Sequence, residues 1–230
     1  MSTRPRAAVS WSGGKDSCAA LERSRDAFDI VAALTMVDEA GTRSRSHGIR
    51  VELLRAQTAA LGLNHVMRPC DWASYEQEFE NGLRELSAGG VTHVIYGDIV
   101  APEHRAWAER LSALAGVEAV EPLFGIPTSE VAASFVRSGA RATIVAVNAA
   151  QLDATWLGTE LTDDAIRRLV ALGVDPCGEN GEYHTFVTDS PSFTRPVAVA
   201  AGEVVQVRGY WAIDLELVPV TIGTSPLTGC

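Results

Sequence analysis

The residues best suited to chemistry stand close together near the N-terminus, between an apolar strand-like run and a helix-like run. They are Ser12, Gly13, Gly14, Lys15, Asp16 and Ser17. A turn that leads from a strand into a helix directs several backbone N–H groups at one point, where the helix dipole favours an anion. The glycines allow close approach, Lys15 is the only lysine of the chain, and Asp16 suits a metal ion that accompanies phosphates. The pattern predicts a phosphate-binding loop, and the alternative is a tight structural turn.

This loop differs from the two best-known nucleotide-binding motifs. Residues 12–17 lack the Gly-x-x-x-x-Gly-Lys-Ser/Thr pattern of a Walker loop. They also lack Gly-x-Gly-x-x-Gly, so a dinucleotide site is poorly supported. The double glycine followed by lysine, aspartate and serine therefore indicates a different kind of phosphate loop.

A second polar stretch lies in the last third of the chain, between Cys177 and Thr185. Its polar and glycine residues include Glu179, Asn180, Gly181, Glu182, Tyr183, His184 and Thr185. Polar side chains this dense rarely serve packing, so they could bind a polar substrate or hold Mg2+. A neutral imidazole at His184 could accept a proton from an attacking amine near pH 7. The residue types alone leave a solvated turn before a strand as the alternative.

The elements that must position these residues alternate between strand and helix in the first half of the chain. Predicted strands cover residues 7–11, 28–37, 64–67 and 91–96, and predicted helices cover residues 18–25, 47–61, 75–86 and 107–114. This alternation predicts a parallel sheet with helices on both faces. Gly97 and Asp98 close the fourth strand, where a carboxylate would face the ligand end of the sheet. For Asp98 a helix cap is the alternative.

The run from Glu121 to Pro127 interrupts this rhythm with two prolines and a glycine, and we interpret it as a hinge. It divides the chain into a phosphate-binding domain, residues 1–124, and a smaller α/β domain, residues 125–230. In the second domain, helices are predicted from Thr128 and from Thr162 to Gly173. Predicted strands cover residues 142–147, 185–187, 197–200, 204–207 and 212–218, and a loose tail covers residues 223–230. The fold class is therefore α/β.

Composition and charge exclude several classes of protein. With 47% hydrophobic and 21% charged residues, the chain can bury a core, which excludes disorder as its main state. No apolar run reaches the roughly 18 residues that a membrane span needs, and the N-terminus shows no signal-peptide pattern. The net charge of -10 argues against a nucleic-acid partner. The four cysteines form no zinc pattern, so we expect reduced thiols in a cytoplasmic protein.

Residues 12–17 resemble the signature loop of the PP-loop ATP pyrophosphatases. The resemblance implies an adenine nucleotide α-hydrolase fold, a Rossmann-like (HUP-type) parallel sheet with ATP across the carboxyl ends of its strands. It also implies that ATP is cleaved between the α and β phosphates, with Mg2+ as a cofactor. Members usually activate a carboxylate or carbonyl as its adenylate, and a nitrogen or sulfur nucleophile then displaces AMP.

The second polar stretch is similar to the Gly-Glu-x-Gly-Glu-Tyr-Glu-Thr motif of diphthine-ammonia ligase and its bacterial and archaeal relatives. Residues 97–98, 152–153 and 156–158 are similar to other segments of that family. The likeness covers nearly the whole chain, but its specificity is concentrated in the two motifs. His184 departs from the motif, since the eukaryotic ligases have Glu at that place, and this departure bears on the substrate more than on the ATP chemistry.

The resemblance implies a role for each motif residue. The expected catalytic residues are Lys15, Asp16, Glu182 and His184, with Asp16 also as the metal ligand. The expected nucleotide-binding residues are Ser12, Gly13, Gly14, Lys15, Asp16, Ser17, Gly97 and Asp98. The expected substrate-binding residues are Glu179, Asn180, Gly181, Glu182, Tyr183 and Thr185. The expected partners are ATP, ammonia and a carboxylate-bearing acceptor, either a small molecule or a modified protein side chain. A homodimer through exposed strand edges is possible.

Three other functions stay open. The first is a PP-loop enzyme that modifies tRNA, against which the acidic balance and the missing paired cysteines argue. The second is a non-catalytic sensor that binds an adenine nucleotide without turnover, against which the crowded polar stretch argues. The third is a structural scaffold, which has little support beyond the apolar composition.

Three further residues could lie near a ligand. His47 belongs to a polar loop that could close over ATP. His104 and Arg105 could reach a phosphate, but a solvated helix start is the favoured interpretation of both. His65 and His93 are expected to be ordinary core or edge residues.

Overall fold

The computed structural model describes residues 4–218. The tail predicted at residues 223–230, including Cys230, lies outside the described residues. Two sheets form, one of five strands and one of four. In the described part of the chain, no helix is both long enough and apolar enough to cross a membrane.

The N-terminal lobe is built on a parallel sheet. Its strands are β1 (Arg6–Ser10), β2 (Asp29–Val37), β3 (Asn64–Pro69), β4 (His93–Ile95) and β5 (Glu118–Val120), and its helices are α1 (Lys15–Ser24), α2 (Val51–Leu61), α3 (Tyr75–Ala88) and α4 (Pro102–Ala115). The strand order is β3-β2-β1-β4-β5, and every neighbouring pair is parallel. The predicted α/β class and Rossmann-like sheet are confirmed. The sequence pattern missed β5, because three residues are too few to show a strand period.

The order of these strands creates a binding crevice. The chain adds β2 and β3 on one side of β1 and then adds β4 and β5 on the other side. In open parallel sheets, ligands bind at the carboxyl ends of the strands where the order reverses in this way. The turns after β1 and β4 border that point. Residues 12–14 and 97–98 lie in these two turns, and residues 15–17 begin α1, so the topology brings the predicted nucleotide-binding residues together.

The C-terminal lobe is built on an antiparallel sheet of order β7-β6-β9-β8. Its elements are α5 (Thr128–Arg137), β6 (Arg141–Asn148), a 3-10 helix (Ala154–Trp156), α6 (Asp163–Ala171), β7 (Tyr183–Asp189), β8 (Val199–Val207) and β9 (Tyr210–Leu217). The predicted cap of α6 is present, since Thr162 Oγ1 accepts the N–H of Ala165 at 3.2 Å. The strands predicted at residues 197–200 and 204–207 are one strand, β8. A shift in pairing between Ala201 and Val204 interrupts its pattern. The outer strands are β7 and β8, and a homodimer through such an edge stays a prediction.

One apolar core joins the two lobes. Val9 and Trp11 from the parallel sheet side are buried in the same cluster as Ile144 and Phe186 from the antiparallel sheet. A second cluster, which includes Phe79, lies under α3 and α4 on the other side of the parallel sheet. Because the lobes share a core, the loop after β1 and the segment that enters β7 are held against each other. The division of the chain at residue 124 stays a prediction.

Candidate functional site

The loop after β1 requires glycine because neighbouring atoms come very close. Gly13 has a φ of +82°, and a Cβ on it would lie 2.6 Å from Leu54 Cδ2. A Cβ on Gly14 would lie 2.7 Å from His47 Cε1. A Cβ on Gly97 would lie 2.9 Å from backbone atoms in the first turn of α1. The two turns at the carboxyl ends of β1 and β4 therefore approach each other as closely as glycine permits.

Hydrogen bonds tie this loop to the C-terminal lobe. The N–H of Val187 donates to the carbonyl of Gly13 at 2.9 Å, and the N–H of Lys15 donates to Thr185 Oγ1 at 3.0 Å. Gln57 Nε2 donates to the carbonyls of Gly13 and Val187, at 3.0 and 2.7 Å. The hydroxyl of Thr185, which the sequence assigned to the substrate, thus accepts a hydrogen bond from the predicted phosphate-binding loop.

Lys15 is a buried cation at the start of α1. It is 3% exposed, its Nζ lies 2.8 Å from Asp16 Oδ2, and it also donates to the carbonyl of Cys177. The Nζ lies 5.2 Å from the ring centroid of Tyr183. Burial by itself lowers the pKa of Lys15, but the charge of Asp16, followed by Tyr183 and Cys177, outweighs burial and raises that pKa. The ammonium therefore keeps its charge at pH 7 beside the phosphate loop.

A cavity of about 360 Å³, the first cavity, opens where the two motifs meet. All but four of the predicted site residues line it: Ser12, Lys15, Asp16, Ser17, Gly97, Asp98, Glu179, Gly181, Tyr183, His184 and Thr185. Its volume falls within the range of small-molecule sites. Two stretches that are far apart in the sequence therefore form one site.

Glu182 and Asn180 are absent from the lining of the first cavity and instead shape the loop that borders it. Glu182 is 2% exposed, and its carboxylate accepts the N–H of Asp175 at 3.1 Å and the N–H of Asn180 at 2.9 Å. The side-chain amide of Asn180 donates to the same carboxylate at 3.0 Å. Burial by itself raises the pKa of Glu182, but these hydrogen bonds outweigh burial and lower it. The contacts fit a positioning role rather than contact with a substrate.

His184 stacks on a second histidine, which the two motifs did not include. The ring centroids of His184 and His47 lie 4.5 Å apart, and those of His184 and Tyr210 lie 5.8 Å apart. Burial lowers the pKa of His184 to about 4 and holds the pKa of His47 well below its usual range. Both imidazoles are therefore neutral at pH 7. The only sequence signal for His47 was its polar loop, and the structure brings it to the first cavity.

Acidic residues form another part of the first cavity. Asp98 Oδ1 lies 3.2 Å from Nδ1 of His104, which lines the cavity although the sequence favoured a solvated helix start. Burial, followed by the charge of Asp16, raises the pKa of Glu179 to about 7. Arg105 forms an ion pair within α4 instead.

Two of these acidic residues have the chemistry to hold a Mg2+ ion if one arrives with a phosphate ligand. Asp16 Oδ1 is buried without a hydrogen-bond partner, and Asp98 lines the same cavity. Mg2+ usually takes one or two protein carboxylates and completes its shell with water and phosphate oxygens. Residues 4–218 contain no cluster of three His, Cys, Asp or Glu residues that could hold a metal without such help.

Comparison with known families covers both lobes. The model of the diphthamide synthase N-terminal domain matches residues 5–119, and the model of the diphthamide synthase C-terminal domain matches residues 128–220. The chain belongs to the diphthamide synthase family. The resemblance inferred from the two motifs is thereby confirmed, and family membership indicates an enzyme of the PP-loop type that uses ATP.

Other comparisons add less. No curated protein matches the chain significantly. Among solved structures, the chain is similar to a predicted subunit of tRNA methyltransferase from Methanocaldococcus jannaschii. The two are 14% identical with a TM-score of 0.44, and the match covers 81% of this chain and 97% of the other. A similarity of this size supports no conclusion about activity.

Proposed function

We propose that the protein is an ATP-dependent ligase that forms an amide from a carboxylate and ammonia. In this reaction the carboxylate is activated as its adenylate, pyrophosphate leaves, and ammonia displaces AMP. One observation carries the proposal: the phosphate loop and the stretch at residues 177–185 line one cavity at the point where the strand order reverses. Membership in the diphthamide synthase family supports it.

The phosphate loop serves the first step. Lys15 and the backbone N–H groups of the loop bind the polyphosphate, while Ser12 and Ser17 donate hydroxyl hydrogen bonds. An oxygen of the acceptor carboxylate attacks the α phosphorus. The bond from this phosphorus to the bridging oxygen breaks, and pyrophosphate leaves with the electron pair. At phosphorus, a protein contributes mainly by positioning the reactants and neutralising charge, which these residues are suited to do.

Asp16 and Asp98 are the residues that would hold Mg2+. Asp16 pairs with Lys15 through Oδ2, and its unpartnered Oδ1 offers a ligand oxygen. When bound, Mg2+ neutralises charge on the phosphate oxygens. Lys15 would remain charged beside it, because the surrounding groups raise its pKa.

The neutral imidazole of His184 serves the second step. The nitrogen of ammonia attacks the acyl carbon, the bond from that carbon to the AMP oxygen breaks, and the nitrogen loses one proton. Because burial lowers the pKa of His184 to about 4, its ring is neutral at pH 7 and can accept that proton. Glu179 and Tyr183 line the same cavity and would contact the reacting end of the acceptor, while Glu182 holds the loop in shape.

Product analysis tests this function. The protein is incubated with ATP, Mg2+, ammonia and a cell extract as the source of acceptor, and the products are identified by mass spectrometry. We expect AMP, pyrophosphate and a new amide. Lys15→Ala should lower AMP formation at least about 100-fold without changing the circular dichroism spectrum, because it removes the cation beside the phosphates. Arg84→Ala, on the exposed face of α3, is the control.

Other products would contradict the proposal in distinguishable ways. Release of ADP and phosphate would show that ATP is cleaved between the β and γ phosphates rather than between the α and β phosphates. Tight binding of AMP without any turnover would instead favour a nucleotide sensor. Salt-sensitive binding of tRNA in a titration would favour a tRNA-modifying enzyme.

A further inference from the structure

A second, larger cavity of about 750 Å³ adjoins the first cavity. It lies between the loop at residues 42–50 and the antiparallel sheet. Its floor is apolar and is formed by Val145, Ala146, Val205, Val207, Tyr210 and Leu215. The motifs do not account for this cavity, since of the two motifs only His184 lines it.

The two cavities share a wall. Ser46, His47 and His184 line both of them, and the two imidazoles stack on each other within this wall. His184 is the residue that accepts a proton in the proposed reaction. A molecule in the second cavity therefore lies directly behind the group that serves amide formation.

Arginines line the second cavity, but two of them are already neutralised. The carboxylate of Asp214 lies 3.0 Å from Arg43 Nη2 and 3.0 Å from Arg50 Nε. Each guanidinium therefore has a carboxylate partner. Arg208 is exposed at the tip of the hairpin between β8 and β9.

Arg45 is the cation best placed for an incoming anion. Its guanidinium lies over the ring of Trp72, 4.6 Å from the centroid, and its Nε is buried without a hydrogen-bond partner. Within the described part of the chain, no carboxylate forms an ion pair with it. It is adjacent in sequence to Ser46 and His47 of the shared wall. A planar guanidinium held on an aromatic ring presents its N–H groups in the geometry that suits a carboxylate.

We propose that the second cavity binds the acceptor, a free carboxylic acid with an apolar or aromatic body, and that Arg45 pairs with its carboxylate. The inference rests on the proposed function, because it identifies this cavity as the acceptor side of the same reaction. The apolar floor covers the body of the acid, and its volume suits a small molecule. The pairing holds the carboxylate beside the wall that leads to the first cavity.

Binding of simple acids tests the inference without any turnover. Isothermal titration calorimetry compares 4-phenylbutyrate and indole-3-acetate with their neutral primary amides. We expect each acid to bind at least about tenfold more tightly than its amide, because only the acid pairs with the guanidinium. Arg45→Gln should remove this difference while leaving the affinity for the amides and for ATP unchanged.

A matched pair of variants on β8 locates the site. Val205 lines the second cavity, whereas its neighbour Val204 does not, and both are partly exposed, at 40% and 49%. Val205→Glu places a negative charge in the cavity and should weaken binding of 4-phenylbutyrate at least about tenfold. Val204→Glu adds the same charge outside the cavity and should leave binding unchanged. Thermal unfolding checks that both variants fold.

The outcomes separate this inference from the proposed function. If 4-phenylbutyrate and indole-3-acetate do not bind, or bind to Arg45→Gln and Val205→Glu as tightly as to the wild-type protein, the inference is wrong. If the acids bind as expected but AMP never forms, the proposed function is wrong and the second cavity remains a carboxylate site. If AMP forms with an acceptor whose affinity Val205→Glu does not change, the function stands and the acceptor binds elsewhere.

Discussion

The first and second cavities share a wall but differ in construction. Two short motifs, rich in glycine and backbone donors, supply nearly half of the residues that line the first cavity. Most residues of the second come instead from the loop at residues 42–50 and from the four strands of the antiparallel sheet. Their charges differ as well, because acidic residues outnumber Lys15 in the first cavity, whereas four arginines outnumber Glu203 and Asp214 in the second.

This difference corresponds to two kinds of recognition. A polyphosphate is bound by N–H donors at fixed, close positions, so its site is a local conformation of the chain. A small acid is recognised by size, apolar contact and one charge, which scattered side chains supply. We therefore expect changes at the first cavity to alter nucleotide binding and changes at the second cavity to alter the choice of acceptor.

The largest expected effect comes from breaking the link between the phosphate loop and the C-terminal lobe. Gln57 is fully buried, accepts from Trp11 Nε1 at 3.0 Å, and donates to the carbonyls of Gly13 and Val187. Gln57→Leu leaves buried groups unpaired and should lower the free energy of unfolding by about 3 kcal/mol. It should also weaken ATP binding, because the loop loses its support. Urea denaturation and calorimetry measure the two effects.

An exposed glutamine provides the control for that prediction. Gln77→Leu lies on the solvent side of α3 and should change the free energy of unfolding by less than about 0.5 kcal/mol. Equal stability of the two variants would contradict the claim that Gln57 supports the loop.

A smaller effect is expected at Glu182, which shapes the loop beside the first cavity. Glu182→Gln replaces a charged acceptor of several N–H groups and should lower the free energy of unfolding by about 2 kcal/mol at pH 7. Folding lowers the pKa of Glu182 from its ordinary value of 4.5. The stabilisation is therefore present above pH 4.5 and is lost as the pH falls through the lower folded value. Urea denaturation across this range should show the two proteins converging in acid, and a constant difference would contradict the assignment.

The smallest effect is expected at Glu179, which faces the first cavity. Its pKa rises from 4.5 to about 7 in the folded protein, so ionisation opposes folding increasingly above pH 4.5 and the penalty levels off above about pH 7. Without nucleotide or metal, the wild-type protein should lose about 1 kcal/mol of stability relative to Glu179→Gln between pH 5 and pH 8, because the open cavity screens part of the charge. Thermal unfolding at several pH values measures this change. Parallel curves for the two proteins would show that Glu179 is not held in the protonated form.

The sequence predicted the conformation of the loop after β1 for a physical reason. A buried strand, a double glycine and a helix start follow one another directly, so residues 12–17 reveal their conformation locally. The turn at residues 97–98 was predictable for the same reason, since parallel strands end at a common edge. The short strand β5 was missed because it depends on its neighbour in the sheet rather than on its own pattern.

The rest of the site depends on contacts between distant parts of the chain. Arg45 and Gln57 acquire their contacts only when the chain folds, and no local pattern marks them. His47 was marked only by its polar loop. Glu182 and Thr185 were assigned to the substrate, but their side chains bind backbone groups of the two loops. A residue type indicates that a carboxylate or hydroxyl is available, but it does not indicate which way the side chain points.

The central claim is that residues 12–17 hold the polyphosphate so that ATP breaks next to its α phosphorus. A crystal structure with Mg2+ and α,β-methylene-ATP, which resists cleavage at that bond, tests this claim most directly. We predict that the phosphates lie on the N–H groups of the loop, with Lys15 beside them and the α phosphorus facing His184. A structure in which the analogue binds elsewhere and this loop touches no phosphate would contradict the account.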